Sequence, residues 1–328
     1  MSTTTTTTLS AEMKTFYDMR LIDEASPMLV HEQFGQKRPI PQGGGKTVNF
    51  RRFSPLAKAT TALTEGVTPS GSNLSVSSVS ATVAQYGDFV VQSDMLELTA
   101  VDNTILETTK LLGRQAGLTM DTIVRNALLL GTNKSYAPKF VADTNGVLVE
   151  TEVTKAADLD SSAKLTVDVV QRVVAKLRAQ NAPTIGGDYV CIIHPYVAYD
   201  LMRDPEWIDA HKYAAPENLY TGEIGKLAGV RFVQSTEAKI DKGGSSNPSN
   251  LAVFHCLFIG DGAYGVTEVT GGGLQTIVKQ KGSSGTADPL NQRSSVGWKG
   301  LKAAKILVDN YLVDLMCCSK FSSTATAN

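Results

Sequence analysis

Residues 101–130 read VDNTILETTKLLGRQAGLTMDTIVRNALLL, and this stretch decides the fold. Val101, Ile105, Leu112, Ala116, Met120, Ile123, Ala127 and Leu130 succeed one another at intervals of three, four or seven. That spacing draws a single apolar stripe along a helix of period 3.6. Thr104 followed by Glu107 fits a capping-box start, and Gly131 is placed to close the far end in a left-handed conformation. A helix over residues 101–131 runs for about 45 Å, against roughly 11–12 residues for an average globular helix. Gly113 and Gly117 each cost such a helix about 1 kcal/mol relative to Ala. The stretch is therefore helical only if something packs along its whole length.

On the C-terminal side, residues 132–163 read as a loop or short hairpin, with alternation from Val147 to Val153 and a turn at Asn145-Gly146. Residues 166–180 form an amphipathic pattern with Val167, Val170, Val174 and Leu177 on one side. Gly186-Gly187-Asp188 then leads into a buried strand, 189–193. His194-Pro195 opens a short helix with Pro at its favoured first position, and Asp204-Pro205 opens another that runs through Trp207. Further strands lie at 230–234 and 251–259, separated by a Gly/Ser/Asn-rich loop at 243–250. Helix and strand interleave, so 166–268 is expected to be a compact α/β lobe. Residues 275–281 and 295–316 are strand-rich with a turn near Asp309-Asn310. They are expected to pair with each other and cover the long helix, which makes a second lobe discontinuous in sequence.

On the N-terminal side, residues 1–10 are Thr/Ser-rich, 11–23 carry a short helical pattern, and Pro27, Pro39 and Pro41 punctuate the segment up to residue 46. Residues 1–46 read as an arm that lies on something else. Between residues 46 and 94 the chemistry turns to strand. Val48 and Phe50 alternate with Asn49 and Arg51, and Val79, Ala81 and Val83 alternate with Ser80 and Thr82. The Ser/Thr/Gly-rich residues 60–78 between them offer little to bury, and an isolated hairpin is marginal in water. A partner on another chain is expected.

With 328 residues the chain is long enough for two or more lobes. Only 19% of residues are charged, below the usual quarter, which fits a surface partly covered by neighbours. Residues 1–60 carry 8 Lys/Arg against 5 Asp/Glu and residues 275–328 carry 7 against 3, so basic ends flank an acidic centre. Neither end has the Lys/Arg clusters of a sequence-specific nucleic-acid reader. No run of 18 apolar residues exists to span a membrane. The Thr-rich N-terminus lacks the basic and apolar regions of a signal peptide. Cys191 and Cys256 sit in apolar runs, and the adjacent Cys317 and Cys318 would face opposite ways on a strand, so the cysteines form no disulfide framework and suit a cytoplasm.

The familiar chemical motifs fail on inspection. Gly43-Gly44-Gly45-Lys46-Thr47 resembles the end of a phosphate-binding loop, but Ile40 stands where the first Gly belongs and Thr47 enters a strand. Gly260, Gly262 and Gly265 match a dinucleotide fingerprint and come after a strand. Yet residues 266–273 are β-branched and Gly-rich where a helix must begin. Cys191 and His194 lack a second pair at zinc spacing. His194 reads as a helix-entry hydrogen-bonder and His255 as a satisfied core histidine. Asp200 and Asp204 share a helical face, but nothing else marks a cleft there. No catalytic residue, cofactor or metal is expected.

What remains is an arm, a dependent hairpin, a long helix, an α/β lobe and returning strands. In that order they resemble the major capsid proteins of tailed bacteriophages, the Hong Kong 97-type fold. Ile193-His194-Pro195, Tyr199-Asp200-Leu201, Asp204-Pro205-Glu206-Trp207, Gly222-Glu223-Ile224-Gly225 and Gly229-Val230-Arg231 are similar to the axial-lobe signature of the family typified by the phage N4 coat protein. Ser294-Ser295-Val296-Gly297-Trp298-Lys299 and Ala304-Lys305-Ile306-Leu307 resemble its closing strands. The resemblance spans about residues 46–320 and implies an α+β capsid fold. Its expected parts are an N-terminal arm (1–46), an extended β-hairpin loop (47–98), a peripheral domain (99–165 and 269–328) around a spine helix at 101–131, and an axial domain (166–268).

The function so implied is self-assembly, as pentamers and hexamers, into an icosahedral shell around double-stranded DNA. The resemblance brings scaffold, portal and decoration proteins as further partners, no membrane, and assembly in a host cytoplasm. Contacts between copies are expected at Arg51, Arg52, Phe53 and Glu65 in the extended loop and at Trp207 and Tyr220 in the axial domain. Three rivals stand beside this reading. One is an encapsulin-type compartment of the same fold, one a cytoplasmic nucleotide-dependent enzyme resting on the two glycine motifs, and one a β-rich adhesin or tail component resting on the Ser/Thr-rich 60–82 stretch.

Overall fold

A 25-residue helix, Thr104–Leu128, holds the molecule together. In the computed structural model the described residues are 19, 21–25, 28–40, 45–53, 56–68, 70–99, 104–214, 225–242, 250–269, 274–283 and 288–328. The helix bridges two sheets. Its first half places Leu112, Ala116 and Met120 against Val296 and Trp298, and its last turns place Val124 and Leu128 in a different core. The stripe therefore runs on through Val124 and Leu128, with Ile123 half-buried against the first core, Ala127 half-buried and Leu130 exposed. The termini also differ from expectation. The Thr104 hydroxyl donates to Gln92 Oε1 while Glu107 pairs with Lys110, so no reciprocal box forms. Gly131 is not among the residues with positive φ. It is instead a point of close approach, since a Cβ there would lie 3.1 Å from the Asp309 carboxylate.

Gly113 and Gly117 have a physical explanation. The N-terminal helical residues 21–25 cross the helix at this point, and a Cβ on Gly117 would meet the Ala25 carbonyl at 2.6 Å. Leu21 and Ala25 are buried by that crossing. Three polar contacts reinforce it. Glu24 pairs with Arg114 at 3.0 Å, His31 meets the buried Asp121 through Nδ1 at 2.6 Å, and Glu32 pairs with Lys302 at 2.5 Å. The Tyr264 hydroxyl donates to the His31 carbonyl. β1 (Gln36–Ile40) then pairs in parallel with β13 (Tyr264–Val269), whose other edge carries β16 (Ala304–Ile306). What residues 21–25 and 28–40 lie on is thus their own chain. The helical pattern at 11–18 lies outside the described residues.

A seven-stranded sheet forms the larger lobe. Its order is β5 (Lys134–Tyr136), β17 (Leu312–Cys317), β12 (Ala252–Ile259), β8 (Tyr189–Ile193), β10 (Val230–Gln234) and β9 (Lys226–Leu227), with β11 (Ile240–Lys242) also on β12. Strands β8, β12 and β17 are buried along their length, and period 2 divides their side chains between two cores. Tyr189, Cys191, Ile193, Phe254, Cys256 and Phe258 face helix Val167–Ala179, whose Val170, Val174 and Leu177 are buried as the pattern required. Val190, Ile192, Leu257 and Ile259 face Val124 and Leu128 of the long helix. Helices Pro195–Met202 and Pro205–Ala214 complete the first core. Because β5 and β17 belong to this sheet, the lobe is not confined to residues 166–268, and β17 leaves the closing strands with which it was grouped.

The remaining closing strands behave as expected. β14 (Gln275–Lys279) pairs with β15 (Arg293–Lys302), and β15 covers the long helix, where Trp298 Nε1 donates to Gln115 Oε1 at 3.2 Å. β4 (Ala84–Ser93) pairs with β15 over ten residues, so it belongs to this sheet and not to the hairpin. The hairpin is β2 (Thr47–Phe53) with β3 (Val76–Thr82). A second hairpin, β6 (Lys139–Ala142) with β7 (Leu148–Thr151), turns at Asn145-Gly146.

Candidate intersubunit surfaces

The hairpin β2–β3 has two parts with opposite physics. Val48, Phe50 and Ala81 turn inward as the alternation required, and they pack on Ala303 and Leu307 of the same chain. Phe50 lies so close that a Cβ on Gly265 would meet its ring at 2.4 Å. Gly265 therefore serves ring packing on a strand, where a dinucleotide fingerprint would need a helix. Beyond residue 52 the inward contacts stop. Phe53, Leu56, Leu63, Val67 and Leu74 are all exposed, Leu63 by 78%. The hairpin base thus has a core of its own, whereas the large apolar side chains described in the tip are exposed.

Four of the six residues expected at contacts sit on this element. Arg51 and Arg52 are exposed opposite Ser78 and Ser77, and Arg52 Nη1 donates to the Leu307 carbonyl at 3.5 Å. Phe53 ends β2, and Glu65 stands exposed in a tip turn closed by Val67 N to Thr64 O at 3.2 Å. Trp207 differs. It is 1% exposed among the large side chains of its own first core, so its ring serves its own chain and is withdrawn from a neighbour. Tyr220 lies outside the described residues.

Sequence reading missed a second apolar surface. The flank of the long helix and β4 enclose an open groove of about 560 Å³ lined by Tyr86, Leu111, Leu118 and Ile123 among others. Leu111 is exposed there, and Phe89, Val90 and Val91 are exposed on β4, the outer strand of its sheet. The available signal was a second apolar row, Leu111 and Leu118, beside the stripe.

The polar residues singled out as chemistry have structural work. His194 caps its helix, its Nδ1 accepting from Tyr196 N at 3.1 Å, and burial lowers its pKa. His255 bridges Asp314 at 3.0 Å and Asp241 at 3.1 Å, tying β12 to β17 and β11. Burial alone would lower its pKa, but the hydrogen bonds and charges of the two carboxylates outweigh that and raise it to about 9. Asp200 accepts from Lys320 N at 2.9 Å, and Asp204 accepts from Val167 N at 2.9 Å and Glu206 N at 3.0 Å. Both carboxylates are occupied with backbone amides. The four thiols are free and buried. Among the described residues no helix is long and apolar enough to cross a membrane.

A family model described as phage capsid protein matches residues 76–312. Among solved structures, the chain is similar to the capsid of cyanophage Pam1 (TM-score 0.64, 14% identity, 90% of this chain and 93% of that one). It is similar in the same way to the capsid of cyanophage P-SCSP1u (TM-score 0.63, 14% identity, 89% of each chain) and to that of Ralstonia phage GP4 (TM-score 0.63, 15% identity, 88% and 87%). At such identities the likeness establishes the fold, which is the α+β Hong Kong 97-like one. Comparison with curated protein sequences finds no match.

Proposed function

The chain belongs to the phage capsid protein family, and from that premise we propose that its copies close into pentamers and hexamers held by the β2–β3 hairpin of each laid over the next. It is a structural protein of the virion, a major capsid protein that self-assembles into the shell, and not an enzyme. The finer assignments are ours. The seven-stranded lobe is the axial domain that meets its copies around the symmetry axes, and the long helix with β4, β14 and β15 is the peripheral domain. Arg51, Arg52, Phe53 and Glu65 lie in the contact between copies. Double-stranded DNA lies inside, approached without sequence preference through its phosphates and counterions. Scaffold, portal and decoration proteins are further partners, and assembly takes place in the host cytoplasm.

One observation carries this reading: Phe53, Leu56, Leu63, Val67 and Leu74 stand exposed on the tip of a hairpin whose base is anchored. Burying Phe53, Leu56, Leu63, Val67 and Leu74 on a neighbour is worth roughly 1.5–3 kcal/mol each at most. Association itself costs about 4–15 kcal/mol. A single hairpin contact is therefore marginal, and a stable shell needs several contacts per copy. A head-to-tail contact of this kind closes into rings, which can tile a shell.

Replacing residues 56–75 with a short turn tests the proposal. The expected product is a folded subunit with the parent circular dichroism that forms no closed particles in the electron microscope. Normal particles from the shortened chain would remove the hairpin from the assembly.

A further inference from the structure

The ribbon β6–β7 stands apart from the other sheets of its chain. Its strands pair only with each other, and every residue from 140 to 152 is exposed. Phe140, Val141, Val147, Leu148 and Val149 are apolar all the same. By strand alternation Phe140 and Leu148 point to one face and Val141 and Val149 to the other, so neither face is a polar outer side. A two-stranded ribbon like this is marginal in water and offers two open edges for pairing.

The ribbon is nevertheless held in a fixed attitude. The Asp143 carboxylate accepts from Asn145 N at 2.7 Å and Val147 N at 3.0 Å, and Gly146 takes φ 77° to complete the turn. At the base, Arg172 Nη1 holds Glu150 at 2.5 Å, and Phe140 N donates to Ser162 Oγ at 2.9 Å. The preceding strand, β5, is hydrogen-bonded into the seven-stranded sheet as its edge. An apolar element presented rigidly beyond a sheet edge is prepared for a partner.

Charge identifies that partner. Lys139 opens β6 and Glu152 stands exposed just after β7, whereas Glu150 is already paired with Arg172 of its own chain. One edge is positive and the other negative, so the ribbon complements itself head to tail. We propose that ribbon β6–β7 is a contact between copies, in which the β6 edge of one meets the β7 edge of a second, with Lys139 facing Glu152 and, on each face, Phe140 and Leu148 or Val141 and Val149 packed beside their counterparts across the new strand pair. Such a contact is heterologous, and repetition about an axis closes it into a ring. The inference rests on the shell reading and supplies a second contact per copy, independent of hairpin β2–β3.

The experiment compares four full-length chains under one assembly condition: wild type, Val141→Asp with Val149→Asp, Lys139→Glu alone, and Lys139→Glu with Glu152→Lys. All the changed residues lie outside the buried cores, so circular dichroism and melting should match wild type in each. The paired Asp variant should give no closed particles. Lys139→Glu should raise the concentration needed for assembly about tenfold, the worth of one lost charge pair, and the double reversal should restore it. Normal particles from the paired Asp variant, or failure of the double reversal to restore assembly, would overturn the inference and leave the shell reading standing. Absence of particles from wild type itself would overturn both.

Discussion

Gly117→Ala sets two effects of similar size against each other at one atom. On an exposed helix the change should stabilise by about 1 kcal/mol. Here the added Cβ would sit 2.6 Å from the Ala25 carbonyl and 3.0 Å from both Ala25 Cα and Met28 Cβ. The two Ala25 atoms are backbone, so relief requires the crossing segment itself to shift, and overpacking of this kind costs about 1–3 kcal/mol. Full release of the segment would also expose Leu21, worth roughly 1.5–3 kcal/mol, and leave Asp121 without His31 in a buried setting. The clash therefore outweighs the propensity gain over most of that range, and a net loss of up to about 2 kcal/mol is expected. At Gly113 the closest approaches are 3.0 Å and 3.1 Å, which a few tenths of an ångström relieve, so Gly113→Ala should be more stable than Gly117→Ala. Urea unfolding gives the order, and hydrogen exchange over residues 21–35 should show faster exchange in Gly117→Ala. An increase in stability with unchanged exchange would refute the account of these two glycines.

Buried charge yields two more expected outcomes. Val124→Asp places an unpaired carboxylate in a fully buried site between the long helix and the large sheet and should abolish soluble folded protein, whereas Ile123→Asp, half-buried in the open groove, should still fold; recovery and circular dichroism of both proteins check this. For His255, the folded pKa of about 9 lies above the ordinary 6.5, so the bound proton stabilises the fold fully below about pH 6.5 and its contribution fades as pH rises through about 9. The melting temperature should fall across that window in wild type and fall less in His255→Asn.

The sequence made most elements legible, but not how they combine. The strand 189–193 and the valine face of helix Val167–Ala179 were readable because a buried strand and an amphipathic helix each carry their own periodicity. The long helix was readable too, but the line of its stripe was not. Apolar residues flank both candidate tracks at Ile123-Val124 and Ala127-Leu128, because one face serves the core and the next lines a groove. Asp121 and Arg125 are buried on the core side, and their partners lie 90 and 112 residues away, at His31 and the Glu237 carbonyl. No local pattern carries such pairs. The same holds for β17, which reads as the end of a strand-rich run yet crosses into the other lobe between β5 and β12. Among the expected contact residues, alternation accounts for the exposure of Arg51 and Phe53, whereas Arg52 shares the face of Val48 and Phe50 and reaches the Leu307 carbonyl. A buried Trp looks the same as an exposed one in sequence, so nothing local to Trp207 reveals its burial.

The most direct test is a reconstruction by electron microscopy of whatever the purified chain assembles into. The account predicts closed shells in which residues 56–75 of every copy lie covered by a neighbour, with Leu63, Val67 and Leu74 removed from solvent. A monodisperse monomer, or shells in which those side chains remain bare, would contradict it.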